Sequence, residues 1–125
     1  MMEFEREKEH VGEGWQELIL GVHEALTALL GEYYEIHQIK EKFGGLRYYW
    51  GAPGADPENV QAAQKLVDAA EAQSFKVCEQ CGREGTVQSH RGWLVTLCEE
   101  HHQERAVEVE QRYVELRKEM GIPDE

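Results

Sequence analysis

Basic residues, cysteines and long apolar runs are all scarce in this chain of 125 residues. Its 13 lysines and arginines stand against 25 aspartates and glutamates, and the net charge of −12 excludes a broadly cationic surface for duplex DNA. No apolar run approaches the roughly 20 residues that span a bilayer, and the first residues lack the basic and then apolar layout of a secretory signal. We therefore expect a cytoplasmic protein that does not attach to a membrane.

The chain has only three cysteines, and two of them lie too close in sequence for an ordinary structural disulfide. In a reducing compartment all three remain thiols. Cys78-Glu-Gln-Cys81 is followed, after a gap of sixteen residues, by Cys98-Glu-Glu-His101-His102. Two ligand pairs, each with two intervening residues, can direct four donors at one tetrahedral ion, the geometry that zinc prefers. The sequence therefore predicts one zinc ion per chain.

The fourth ligand is one of two adjacent histidines. His101 is preferred because it repeats the spacing of the first pair, whereas the side chain of His102 points about 100° away on a helix. His102 is then expected to lie outside the ligand set or to hydrogen-bond to one of its members. A closed set of Cys78, Cys81, Cys98 and His101 leaves no position for water, which favours a structural ion over a catalytic one.

Residues 1–74 predict two helices and a hairpin. The first ten residues are mostly charged and are expected to be a solvated lead-in. Apolar residues recur at helical spacing from Trp15 to Leu30 and predict the main core helix. Asp56-Pro57 is typical of a helix start, and the alanine-rich residues after it predict the second helix.

A pair of glycines, Gly44-Gly45, predicts the turn of a hairpin between Tyr33 and Trp50. This turn would place Phe43 opposite Leu46 and gather apolar side chains on one face. The other face would collect Lys40, Lys42, Arg47 and Tyr49.

Residues 75–125 form the zinc-binding half in this interpretation. The predicted elements are a short strand at Phe75 and Val77, a hairpin from Thr86 to Leu97 that turns at Arg91-Gly92, and a helix from Glu99 to Met120 that Gly121 and Pro123 end. The apolar positions of this helix form a seam of two heptads. That seam can pack on the first helix or join two copies into a homodimer.

Residues 76–118 resemble a treble-clef zinc finger in ligand spacing and in element order, because a cysteine-bearing turn, a hairpin and a ligand-bearing helix follow one another. The fold class that we predict is α+β. An N-terminal helix, a β-hairpin and a second helix pack with a treble-clef-like zinc finger that ends in a long helix. A resemblance at the level of the fold does not carry function by itself.

Some treble clefs are His-Asn-His (HNH) nucleases, so the hairpin residue His90 needs separate consideration. Cleavage of a phosphodiester would require a general base, a helix residue that faces it and a basic groove. The segment from His90 to Cys98 contains no asparagine. We therefore expect His90 to be an ordinary strand residue, and catalysis by His90 or His102 with a second ion is the weaker alternative.

The basic face of the first hairpin has two interpretations. In the predicted register Lys42 and Arg47 lie opposite each other, and like charges so placed cost stability unless an anionic group meets them. Carboxylates elsewhere on this acidic protein can supply that group. Alternatively, Lys40, Lys42, Arg47 and Tyr49 form a contact site for a small anion, a nucleic acid or another partner.

The stretch QIKEKFGGLRYYW resembles a segment of small uncharacterised phage and prophage proteins that carry a Cys-x-x-Cys half downstream. The resemblance extends over residues 15–102 and implies a location in the host cytoplasm, but no established activity accompanies it. The leading hypothesis is a zinc-stabilised, non-enzymatic interaction protein whose acidic surface binds a basic partner, for example to inhibit a nucleic-acid-processing enzyme. The alternatives are a zinc module that binds nucleic acid directly and an HNH-like nuclease.

Overall fold

Helices and two antiparallel hairpins make up residues 2–122, the part of the chain that the computed structural model describes, and the predicted α+β class is confirmed. The helices are α1 (Met2–Glu7), α2 (Gln16–Leu30), α3 (Pro57–Ser74) and α4 (Glu99–Glu119), and the strands are β1 (Glu35–Lys42), β2 (Gly45–Gly51), β3 (Thr86–His90) and β4 (Trp93–Leu97). Strand β1 pairs with β2, and β3 pairs with β4. No helix within residues 2–122 has the length and hydropathy to cross a membrane. Pro123, one of the residues predicted to end the last helix, lies outside this described range. So do residue 1 of the predicted half 1–74 and residues 123–125 of the predicted half 75–125.

The two predicted core helices are present, and each starts or ends where its sequence indicates. Helix α2 buries the apolar face that its periodicity predicts and ends before Gly31, whose φ of 56° suits a residue without a side chain. At the start of α3, the Asp56 carboxylate accepts a hydrogen bond of 2.8 Å from the Glu58 amide, and Pro57 follows it directly. Helices α2 and α3 pack on each other and, with the inner face of β1 and β2, enclose the main core.

The expectation of a solvated lead-in was wrong for the described part of residues 1–10, because α1 belongs to the core. Phe4 is only 5% exposed, and its ring stacks on the ring of His23 with 4.0 Å between the centroids. The Glu7 carboxylate accepts a hydrogen bond of 3.1 Å from the Ile39 amide. A two-stranded sheet leaves backbone amides unpaired along its edges, and α1 supplies a partner for one of them.

The turn of the first hairpin differs from the predicted one. Phe43 and Gly44 occupy its central positions with φ of 54° and 86°, the pattern of a type I′ turn. Gly45 is instead the first residue of β2, where a Cβ atom would lie 2.2 Å from the Cζ atom of Phe75. The second glycine is therefore required by close packing against this ring, which local turn propensity does not reveal.

The register of β1 and β2 shifts accordingly by two residues. Glu41 pairs with Leu46 instead of Tyr48, and Lys40 rather than Lys42 lies opposite Arg47. A shift by an even number of residues leaves the paired side chains of the two strands on their predicted faces, whereas Phe43, predicted opposite Leu46 on the apolar face, lies in the turn and is exposed. The outer face therefore still carries Lys40, Lys42, Arg47 and Tyr49.

The second hairpin and the last helix follow the predicted order but not the predicted packing. Arg91 and Gly92 form the predicted turn, with φ of 53° and 87°. Helix α4 lies against β3 and β4 rather than along α2, and none of its residues from Glu99 to Glu119 is fully buried. The Arg91 guanidinium lies 3.5 Å from the ring centroid of Tyr113, and this contact joins the hairpin turn to the helix.

Direct hydrogen bonds cross the predicted boundary at residue 74. The buried indole of Trp15 donates a hydrogen bond of 2.9 Å to the Val77 carbonyl. The buried hydroxyl of Thr96 donates one of 2.6 Å to the Gly44 carbonyl and ties β4 to the turn of the first hairpin. The division into two halves stays a prediction, and these bonds connect its two sides.

We predict that Thr96→Val destabilises the protein by about 1–3 kcal/mol, because it takes the hydroxyl donor away from the buried Gly44 carbonyl at nearly constant volume. Urea denaturation at a fixed zinc concentration measures the free energy of unfolding. Thr86→Val is the matched control: this threonine is exposed on β3, and its substitution should change that free energy by less than about 0.5 kcal/mol. Equal losses in the two variants would contradict the assignment.

Candidate metal centre

The first two cysteines lie in a tight turn that the backbone itself stabilises. The Gly82 amide donates to the Cys78 carbonyl at 2.9 Å, and the Cys78 amide donates to the Arg83 carbonyl at 2.7 Å. Gly82 has φ of 83°, which favours glycine at this position. Beyond this turn, Val77 and Glu84 form an isolated β-bridge, and no longer strand forms at the predicted position.

The other two predicted ligands lie where β4 passes into α4. Cys98 has extended backbone dihedrals and is the N-cap of the helix, and its carbonyl accepts a hydrogen bond of 2.8 Å from the His102 amide. His101 belongs to the first turn of α4, on the side of Cys98. The junction between strand and helix thus directs one sulfur and one imidazole at the cysteine-bearing turn.

The structure brings together four side chains that can hold a metal ion. Their ligand atoms lie within 4.8 Å of one another, and we call this group the Cys3His cluster: Cys78, Cys81, Cys98 and His101. The Cys81 and Cys98 Sγ atoms are 3.7 Å apart, and the His101 Nδ1 atom lies 3.6 Å from the Cys78 Sγ atom. Sulfur ligands at about 2.3 Å from a tetrahedral zinc ion lie about 3.8 Å from each other. The donor set and its spacing therefore fit zinc.

The two adjacent histidines separate as the helical geometry predicts. His101 directs its Nδ1 atom to the thiols, and its Nε2 atom lies 4.0 Å from the Glu104 carboxylate. His102 contacts the hairpin instead, where its Nδ1 atom lies 3.2 Å from the Nε2 atom of His90. His101 is thus the histidine that joins the cluster.

Arg83, which the sequence analysis did not single out, lies against the thiols. Its Nε atom donates to the Cys81 Sγ atom at 3.3 Å, and its terminal nitrogen lies 3.5 Å from the Cys98 Sγ atom and 2.7 Å from the Glu100 carboxylate. The hydrogen bond from this guanidinium lowers the pKa of the exposed Cys81 thiol to about 6. Burial raises the pKa of the Cys78 thiol. Three thiolates and one neutral imidazole around Zn²⁺ would carry a net charge near −1, which the guanidinium offsets.

The pair formed by His90 and His102 does not assemble a second metal site. Among residues 2–122, the Cys3His cluster is the only group of three or more potential ligands that comes together, so the pair has no third ligand there. Burial lowers the pKa of His90, and the nearby charges of His102 and Arg105 lower it further. The pair instead attaches the end of β3 to the first turn of α4.

The cations of the first hairpin are close to aromatic rings rather than to carboxylates. The Nζ atom of Lys40 lies 5.6 Å from the ring centroid of Tyr49, and that of Lys42 lies 5.6 Å from the ring centroid of Phe43. Neither lysine, nor Arg47, forms an ion pair with an acidic residue of the described range 2–122. Within these residues, no direct ion pair connects the basic face to the surplus carboxylates, and the choice between the two interpretations of this face stays a prediction.

Comparison with known proteins gives no match for this chain among protein-family models, curated proteins or solved structures. The geometry of its own residues therefore carries the functional argument.

We predict that Cys98→Ser and His101→Ala lose bound zinc, whereas His102→Ala retains it. The first two substitutions each remove one of the four clustered ligand atoms, but the third removes only the contact with His90. Native mass spectrometry of the purified variants measures the metal content. Loss of zinc in His102→Ala together with its retention in His101→Ala would contradict the assignment of the fourth ligand.

We also predict that Arg83→Gln weakens zinc affinity about tenfold or more, because the guanidinium that contacts two ligand sulfurs is lost. Competition with a chromophoric chelator measures the affinity. The matched control is Arg112→Gln, which removes an exposed arginine of α4 eleven residues beyond His101. Equal affinities of the Arg83 variant and the control would show that the guanidinium does not support the site.

Proposed function

We propose that this chain is a zinc-stabilised interaction protein, in which the metal maintains the fold and the protein acts by binding a partner rather than by turning over a substrate. The observation that carries this proposal is the completeness of the donor set. Four protein ligands already satisfy a tetrahedral ion, so no coordination position is left at which water or a substrate would be activated. The arrangement of turn, hairpin and helix around these ligands supports a treble-clef-like module.

A metal ion bound by the four ligands would cross-link two segments of the chain, which explains why a small chain would depend on it. An ion held by the Cys3His cluster would connect the turn at Cys78 to the start of α4, two segments that share few apolar side chains. The buried group in this region comprises only Cys78, Val95, Leu97 and Cys98. A core of this size contributes little hydrophobic stabilisation, and metal binding typically supplies the missing free energy of folding in such modules.

The charge of the chain supports a basic macromolecule as the partner. With 25 carboxylates against 13 basic side chains, the protein attracts positively charged surfaces over a distance set by the ionic strength. The finer proposal, in keeping with the resemblance to phage proteins, is inhibition of a basic enzyme that processes nucleic acid. A complex of this kind should weaken as salt rises, and titration of purified basic nucleases and polymerases at increasing salt concentration measures the effect. An affinity that does not depend on salt would contradict the electrostatic proposal.

The structural role of the metal predicts the spectrum of a cobalt(II)-substituted protein. The visible absorption should be that of a four-coordinate, thiolate-rich site, because cobalt(II) reports its coordination geometry. Addition of an external ligand such as azide should leave the spectrum unchanged, since all positions are taken by protein atoms.

Two outcomes would contradict a closed structural site. A five- or six-coordinate spectrum would mean that water completes the coordination, and a spectral change on addition of azide would mean that a position is open. A cobalt(II) protein whose metal has a known open coordination position supplies the positive control, because azide must change its spectrum under the same conditions. Either contradictory outcome in the unsubstituted protein would favour catalytic metal chemistry.

A further inference from the structure

Two aromatic side chains project into solvent where the turns of the two hairpins meet. Phe43 is 66% exposed and Trp93 is 67% exposed, although most large apolar groups of β1 to β4 are buried. Both line a groove of about 250 Å³, which is completed by Glu41, Lys42, Gly92 and Leu94. Large aromatic groups so exposed on a small acidic protein indicate a binding surface.

The backbone of Phe43 is in an unfavourable conformation, and packing of its exposed ring does not compensate for the cost. Its φ of 54° lies in the left-handed region, where turns of this type favour asparagine, aspartate or glycine over a bulky residue. A buried ring would recover the strain through packing, but this ring contacts solvent over most of its surface. Strain of this kind, held in place by surrounding structure, is typical of sites where a side chain must be presented to a ligand.

The turn of the first hairpin is held against β4, the strand that carries Trp93, so both walls of the groove are in place before any ligand binds. The Thr96 hydroxyl bonds to the Gly44 carbonyl in the buried layer between the hairpins. A Cβ atom on Gly44 would lie 3.4 Å from the carbonyl carbon of Val95, which shows how closely the two backbones approach. Because the turns cannot move far apart, little conformational entropy would be lost when a ligand fills the groove.

Three cations continue this surface along the outer face of the first hairpin. Lys42 lies beside the Phe43 ring, Lys40 lies beside the Tyr49 ring, and Arg47 is the strand partner of Lys40. None of the three is paired with a carboxylate of residues 2–122, in a chain with 25 acidic side chains. We call the whole feature the aromatic–basic surface: Lys40, Lys42, Phe43, Arg47, Tyr49 and Trp93.

We propose that the aromatic–basic surface binds a short segment of single-stranded nucleic acid. Bases stack on Phe43 and Trp93, and the phosphates contact Lys40, Lys42 and Arg47. Stacking on aromatic rings together with cations that follow the backbone is the usual mode of single-strand recognition. An acidic peptide would use the cations but not the rings, and an apolar peptide would use the rings but leave the cations without partners. This proposal goes beyond the proposed function, because it assigns a ligand class to a surface outside the metal centre.

The acidic remainder of the protein favours a single strand over a duplex. In a duplex the bases are paired inside the helix, where aromatic side chains cannot stack on them. A duplex is also wide and would bring additional phosphates towards a molecule with a net charge of −12. A flexible strand can place its phosphates on the three cations and its bases on the rings without such an approach. The interaction is therefore expected to be local and dependent on salt.

The test is fluorescence anisotropy of the zinc-loaded full chain with labelled oligonucleotides of about 12 nucleotides, which is within the range of known single-strand sites. Oligo(dT), oligo(rU) and a DNA duplex of the same length are compared between about 50 and 200 mM salt. The two single strands should bind more tightly than the duplex, and the tighter of the two identifies DNA or RNA as the preferred ligand.

Substitutions separate the contribution of the rings from that of the charges. Phe43→Asn removes a ring while it favours the observed turn, and Trp93→Thr removes the other ring from a strand position. Each should weaken binding about fivefold or more. Lys42→Gln should also weaken binding. It should lower the slope of log affinity against log salt concentration by about one, the value expected for the loss of one phosphate contact.

The controls are variants at exposed positions away from this surface, Tyr33→Ser for loss of a ring and Lys65→Gln for loss of a charge. Neither should change the affinity. All variants keep the Cys3His cluster, so an unchanged zinc content distinguishes a failed surface from a failed fold or a failed metal site.

Three results would overturn the proposal. The first is the absence of measurable binding to either single strand at the lowest salt concentration. The second is equal binding of the duplex and the single strands. The third is evidence that stacking plays no part. This would be an affinity that Phe43→Asn and Trp93→Thr leave unchanged, or displacement of the bound strand by poly-glutamate of equal charge as effectively as by a competing single strand.

Discussion

The backbone of the turn that carries Cys78 and Cys81 is the constraint on which the rest of the molecule depends. On one side, a Cβ atom at Gly14 would lie 1.9 Å from the Cys78 carbonyl oxygen, and the Gly14 amide bonds to the Glu79 carbonyl at 3.0 Å. On the other side, the Glu79 amide bonds to the Thr96 carbonyl at 3.0 Å. The same few residues therefore supply metal ligands, meet the chain before α2 and hold β4. Whatever fixes this turn therefore also constrains β4 and the segment that leads into α2.

How much the sequence predicts depends on how local the determining interaction is. Each of the two ligand pairs, Cys78 with Cys81 and Cys98 with His101, and the start of α3 after Asp56 follow from residues within a few positions of each other, and the structure contains all three features. The predicted turn at Gly44-Gly45 was wrong because the role of Gly45 is set by Phe75, thirty residues further along the chain. The role of α1 was missed for the same reason, since a single phenylalanine among charged residues gives no periodicity. Arg83 left a weak signal, a cation two residues after Cys81.

The distribution of charge gives the molecule two different surfaces. Carboxylates dominate the chain as a whole, whereas the outer face of the first hairpin carries three cations that form no ion pair within residues 2–122. Two exposed rings lie next to this face, where the turns of the two hairpins meet. A Cys3His cluster that can hold a metal ion, a strongly acidic composition and an exposed aromatic groove are together consistent with the proposal that the protein acts through binding.

Metal ligation should hold the cysteine-bearing turn in place and, through its hydrogen bonds, β4 and the segment before α2. Hydrogen exchange of the zinc-loaded and the chelated protein, compared amide by amide, measures this dependence. Chelation should remove protection from residues 76–85 and from β3 and β4, and the Gly14 amide should lose protection with them because its acceptor lies in the turn. The buried face between α2 and α3 should exchange more slowly than these segments in both states. Unchanged protection of residues 76–85 and of Gly14 after complete removal of zinc would contradict this role of the metal.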